Sequence, residues 1–158
     1  MKTVRPWASF HVYVLAVLLV SGASPVLFAK GPTTEITIES PLFARPIEIT
    51  DPAITKQFQV FASLIVDWAS GAVAAPSGLE SYRVSFYVGE YAHPYVVLYA
   101  PDPSDKQGYV YVPGARDEWY PTNVSMIIRH VEGRWFRALA SWEGVARPLI
   151  ERQRRSSQ

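Results

Sequence analysis

The chain contains no cysteine among its 158 residues. That absence excludes disulfides, thiol nucleophiles, zinc–thiolate sites and a lipidated cysteine. A folded domain built on this sequence is held by its core alone. Histidine is nearly as scarce: beyond His11, only His93 and His130 occur. His93 precedes Pro94 in a turn and His130 lies near another turn, so both read as exposed loop histidines. No H-E-x-x-H, P-loop, dinucleotide fingerprint or G-x-S-x-G elbow is present. Asp102 and Asp105 in DPSDKQG lack the ligand count and spacing of a calcium loop, and Asp-Pro turn chemistry accounts for them. No cofactor, metal or catalytic residue is therefore expected. Carboxylate pairs offer many combinations, none singled out by spacing.

An excess of one charge is also missing. The whole chain carries a net +1, while residues 30–150 hold ten basic and thirteen acidic side chains, a net of −3. That body lacks the basic bias of a nucleic-acid binder. Long apolar runs are reduced to one, Val12 to Val20, too short to span a bilayer well as a permanent helix.

What is there begins with that run. Lys2 and Arg5 precede it and a small-residue stretch from Ser21 to Ala29 follows, the three parts of a secretory signal. Cleavage after Ala29 or after Ala23 fits, with Ala29 favoured, and an uncleaved anchor is the alternative. The expected organisation is a signal peptide over 1–29, one globular domain over 30–150, and a disordered basic tail over 151–158. Export places the domain in the periplasm or outside the cell, without a transmembrane helix once the leader is removed.

The whole chain has thirteen prolines, mostly in short X-Pro breaks, which favours short elements. TEITIES (34–40) and IEIT (47–50) alternate in hydrophobicity and predict a hairpin. Glu35, Glu39 and Glu48 would lie on its outer face, as solvated carboxylates or, if they converge, as a cluster. Asp51-Pro52 starts a helix expected to run to about Ala62, with Ile54, Phe58 and Phe61 on one face. Gly71, Pro76 and Gly78 mark a loop. YRVSFYV (82–88), YVVLYA (95–100) and YVYV (109–112) form a three-stranded meander. NVSMII (123–128) reads as a further strand, and Glu132-Gly133 as a hairpin turn before Trp135 to Ala138. Trp142, Val145, Ala146 and Leu149 suit a short helix capped by Ser141 and broken at Pro148. The fold class is thus α+β: an antiparallel sheet of about five to six strands with two short helices packed on one face.

Period-two alternation divides the meander into an aliphatic face and a tyrosine-rich face. Tyr87, Tyr99, Tyr109 and Tyr111 are the candidate ligand-binding residues, as a platform for sugars or apolar ligands. Packing is the competing reading, since cross-strand aromatic pairs stabilise a sheet by up to about 1 kcal/mol each. Trp119, Trp135 and Trp142 read as core or rim anchors. Asn123-Val-Ser125 matches the N-glycosylation pattern, a short and common one.

With DPAITKQF, YVVLYAPDPSDKQGYVYVPG, DEWY, NVSMIIRHVEGRWFRA and SWEGVARPLI, most of residues 30–150 resembles small exported bacterial proteins of uncharacterised function. The resemblance implies no activity and no site residues. The expected function is a non-enzymatic binding or interaction domain with an extracytoplasmic ligand or protein as its partner. A small hydrolase with an unlocated carboxylate or histidine site, and an envelope-tethered structural protein, are the alternatives.

Overall fold

The computed structural model describes residues 31–62, 64–89 and 91–157. The leader expected over 1–29, with its cleavage sites, lies outside them. Strand alternation yields β1 (Thr33–Glu39) and β2 (Ile47–Ile49), paired as the expected hairpin with Ile36 opposite Ile49. The meander forms with its expected bounds as β4 (Tyr82–Val88), β5 (Tyr95–Ala100) and β6 (Tyr109–Val112). Two more strands, β3 (Ala72–Val73) and β7 (Arg134–Arg137), complete a seven-stranded antiparallel sheet in the order β2-β1-β4-β5-β6-β7-β3. The sheet is wider than the five to six strands expected. Part of the difference is β3, which arises in the stretch read as loop and pairs with β7.

Three helices accompany the sheet, not two. α1 (Pro52–Gln57) opens with the Asp51 side chain accepting from the Ala53 N–H at 2.8 Å and Pro52 in the first turn. It ends earlier than Ala62. The chain unwinds at Phe58 so that Phe58 and Val60 both enter the core, and the Gln59 side chain accepts from the Thr33 N–H. α2 (Tyr120–Met126) replaces the strand expected over 123–128. Pro121 sits in its first turn, where a missing N–H is harmless. Asn123 supplies what a strand would have supplied. β6 stops at Val112, and the Val96 N–H donates to Asn123 Oδ1 (2.8 Å) while Asn123 Nδ2 donates to the Val96 carbonyl (2.7 Å). One buried carboxamide stands in for a peptide unit and satisfies both backbone groups. The hairpin expected around Glu132-Gly133 is likewise absent: the chain reaches β7 from a turn in which Gly133 has φ 80°, and its N–H donates to the Val112 carbonyl.

α3 (Ala140–Ser156) is much longer than expected and passes through Pro148. A mid-helix proline clashes with the carbonyl four residues back. Here that carbonyl belongs to Gly144. Trp142, Ala146 and Ile150 recur every four residues and are all buried, so the apolar stripe continues across the proline and holds the helix. Leu139, not Ser141, occupies the N-cap. Residues 151–156, expected as a disordered tail, are the last turns of this helix, with Gln153 donating to the Arg45 carbonyl at 3.2 Å.

α3 and the segment after α1 cover one face of the sheet. Trp142 is fully buried there, with Phe58, Phe86 and Tyr99 rings at centroid distances of 5.1, 6.1 and 5.9 Å. Such aromatic pairs add about 0.5–1.5 kcal/mol each beyond area burial. Three tyrosines share this covered face. The Tyr95 hydroxyl accepts from Arg129, and the Tyr99 hydroxyl donates to Glu143 at 2.8 Å. Tyr82 lies beside Glu80, and burial followed by that carboxylate pushes its hydroxyl up to about 12.

Candidate functional site

Register decides where the candidate tyrosines go. Leu98 pairs with Tyr111 and Tyr99 with Val110, so Tyr99 does not share a face with Tyr109 and Tyr111. It is fully buried under α3, and burial, then the neighbouring Glu143 carboxylate, raises its pKa above the usual phenol range. The expected single tyrosine-rich face is corrected accordingly. Tyr87, Tyr109 and Tyr111 lie on the opposite, open face. Tyr87 is 38% exposed near the other end of β4. Tyr109 carries the Arg137 guanidinium over its ring at 4.5 Å. Tyr111 packs on Trp135 at 5.1 Å and donates its hydroxyl to Asp117 at 2.8 Å.

The open face has a row that crosses five strands. Registered pairs link Glu39 to Arg83, Arg83 to Leu98, Leu98 to Tyr111 and Tyr111 to Trp135. At the Glu39 end of that row lies a cleft of about 520 Å³. Arg83 and Leu98 line it from the strands, Phe43 and Arg45 from the β1–β2 loop, and Trp119 from the turn into α2.

Each wall is fixed by local chemistry. In the β1–β2 loop, the Ser40 hydroxyl donates to Glu80 at 3.2 Å and the Phe43 ring stacks on Tyr82 at 5.4 Å. Pro41 and Pro46 stiffen its two ends. Opposite, Asp117 organises the turn that carries Trp119. Its Oδ2 accepts from both the Tyr111 hydroxyl and the Gly114 N–H (2.6 Å). Gly114 itself is pressed against the turn before β7: a Cβ there would stand 2.6 Å from the Gly133 Cα.

Trp119 differs from the other described tryptophans. Trp68, Trp135 and Trp142 each pack on another aromatic ring, whereas Trp119 has no ring or cation partner among the described residues and is half-buried. Beside it, Arg83 and Glu39 form an ion pair with side chains 42% and 26% exposed. A pair so exposed is held by at most about 1 kcal/mol, so either group can turn to a ligand. Arg45 has no acidic partner among the described residues and leaves the cleft with one excess positive charge. The arrangement can stack a planar or C–H-rich ligand, hydrogen-bond it, and attract negative charge.

The other sequence candidates do not assemble. Glu35 faces Tyr87 and Glu48 faces Thr37 across the strands, while Glu39 is engaged by Arg83. Among the described residues no three His, Asp or Glu side chains are grouped to hold a metal ion. His93 and His130 sit on exposed turns outside the cleft. Asn123 of the glycosylation pattern is 2% exposed with both amide atoms used. The cleft residues carried only faint sequence signals: Trp119 in DEWYP, and Arg83 as the charged member of a tyrosine-bearing strand face. Comparison with protein-family models, with curated proteins and with solved structures finds no match.

Proposed function

We propose that this is an exported, non-enzymatic binding domain whose site is the cleft between the β1–β2 loop and Trp119. The observation that carries the reading is Trp119: a half-buried indole without an aromatic partner among the described residues, on the wall of a concave surface beside an exposed ion pair. Large aromatics left on concave surfaces are the common anchors of recognition. Export rests on the sequence of residues 1–29, and intact-mass measurement of the released protein tests it: retention of those residues would refute cleavage. No described helix is long and apolar enough to cross a membrane. Neither His93 nor His130 lines the cleft.

The binding reading is tested with an amphiphilic reporter, 1-anilinonaphthalene-8-sulfonate. Titration of the purified protein should give saturable binding, and Trp119→Ala should weaken it about 30-fold, as removal of an aromatic anchor does. Circular dichroism and the urea midpoint of the variant should match the parent. Equal binding by parent and variant places the ligand elsewhere and refutes the site.

A further inference from the structure

Resting on that reading of the cleft, we infer its ligand class: a saccharide built of pyranose rings that carries a carboxylate, as a uronic acid does. Three features of the cleft match three features of such a sugar. A pyranose has a face of C–H groups, and the negative face of an indole attracts them while covering apolar area. Trp119 presents such an indole, without a ring partner among the described residues, and Leu98 and Phe43 extend the apolar surface. A sugar also has neighbouring hydroxyls, each able to donate and accept. Glu39 accepts only and Arg83 donates only, so their pair offers both functions side by side. The third feature is charge. Arg45 supplies a guanidinium with no acidic partner among the described residues, and a guanidinium binds a carboxylate through two parallel N–H donors.

The same features disfavour competing ligands. A wholly apolar ligand would desolvate Arg83 and Glu39 without replacing their hydrogen bonds. A nucleic acid meets a domain whose residues 30–150 are net negative. An added peptide strand needs an open sheet edge, whereas this cleft contains the side chains of Arg83 and Leu98 from β4 and β5, both internal to the sheet.

The test is calorimetric titration of the full protein with oligogalacturonate and with maltooligosaccharide of matched length, beside the anilinonaphthalene reporter. Oligogalacturonate should bind, and Trp119→Ala should weaken it about 30-fold. Arg45→Ala, a change at an exposed side chain, should weaken it about fivefold at low salt and less at high salt. The neutral oligosaccharide should bind more weakly by a similar factor. Equal affinity for both sugars, or binding indifferent to Arg45, overturns the assignment of an acidic sugar. Failure of both sugars while the reporter still binds through Trp119 overturns the saccharide inference and leaves the cleft as a binding site. Failure of all three overturns both.

Discussion

Glu143 offers the sharpest energetic test of the fold. It is 6% exposed, in the first turn of α3, where a carboxylate is favoured by the helix dipole. Its Oε1 accepts from the Gly108 N–H at 2.7 Å. Its Oε2 accepts from the Tyr99 hydroxyl and from Arg147 Nε, both at 2.8 Å. One side chain thus ties β5, the β5–β6 turn and α3 together. Glu143→Ala strands a fully buried phenol and a backbone N–H, at about 1–3 kcal/mol each, and leaves Arg147 with the Asp102 carbonyl and only the weaker field of Glu151. Breaking a buried ion pair destabilises by about 3–5 kcal/mol, so a loss of about 4 kcal/mol is expected. Domains have total stabilities of about 5–15 kcal/mol, and the variant should be marginal. Urea unfolding followed by circular dichroism and tryptophan fluorescence measures it through the midpoint and slope. Tyr99→Phe should cost about 1–2 kcal/mol in the parent and close to nothing in the Glu143→Ala background, where it removes a stranded hydroxyl. A Glu143→Ala loss below about 1 kcal/mol, or additivity of the two substitutions, would show that the cluster does not hold the helix to the sheet.

Two further outcomes follow from buried groups. The raised pKa of Tyr82 favours the neutral phenol in the folded state, so its contribution is complete below pH 10 and is lost as pH rises towards about 12. Stability should fall by about 3 kcal/mol over that window. Tyr82→Phe should remove that part of the decline in a urea series across the same pH range, and an unchanged decline would assign it to other groups. Asn123→Ala should cost about 2–4 kcal/mol, because it strands both the N–H and the carbonyl of Val96 inside the protein. Equilibrium unfolding checks this, and a loss under about 1 kcal/mol would mean that the β5 edge finds other partners.

How far the sequence reaches is visible in the meander. Alternation within β4, β5 and β6 is a local property, and it set the strand bounds and the α+β class. The phase between strands is not local. A shift of one residue in register moves every side chain to the other face, and nothing in YVVLYA says whether Leu98 or Tyr99 stands beside Tyr111. A tyrosine can be buried when its hydroxyl finds a partner, and that partner, Glu143, comes from α3, 44 residues further along. Pro148 is a local signal for a helix end, whereas the burial of Trp142, Ala146 and Ile150 that carries α3 across it depends on the sheet beneath. NVSMII failed for a similar reason. Its composition suits a strand, yet the sheet needed one carboxamide at Val96 and a turn of helix to deliver it.

The cleft shows the same division between local and distant information. Its residues come from β1, the β1–β2 loop, β4, β5 and the turn before α2, so no window of sequence contains it. Tyrosine content pointed to the open face, and the row from Glu39 to Trp135 shows what that face holds. Tyr111 sits in that row without lining the cleft. Its hydroxyl and the Gly114 N–H converge on Asp117, and Asp117 shapes the turn that carries Trp119. The aromatic signal in YVYV and the aromatic signal in DEWYP are therefore parts of one arrangement. The tyrosine supports the turn, and the tryptophan presents its ring to the cleft. A ligand held there would report first on Trp119 and Arg45, with Tyr109 and Tyr87 outside its reach.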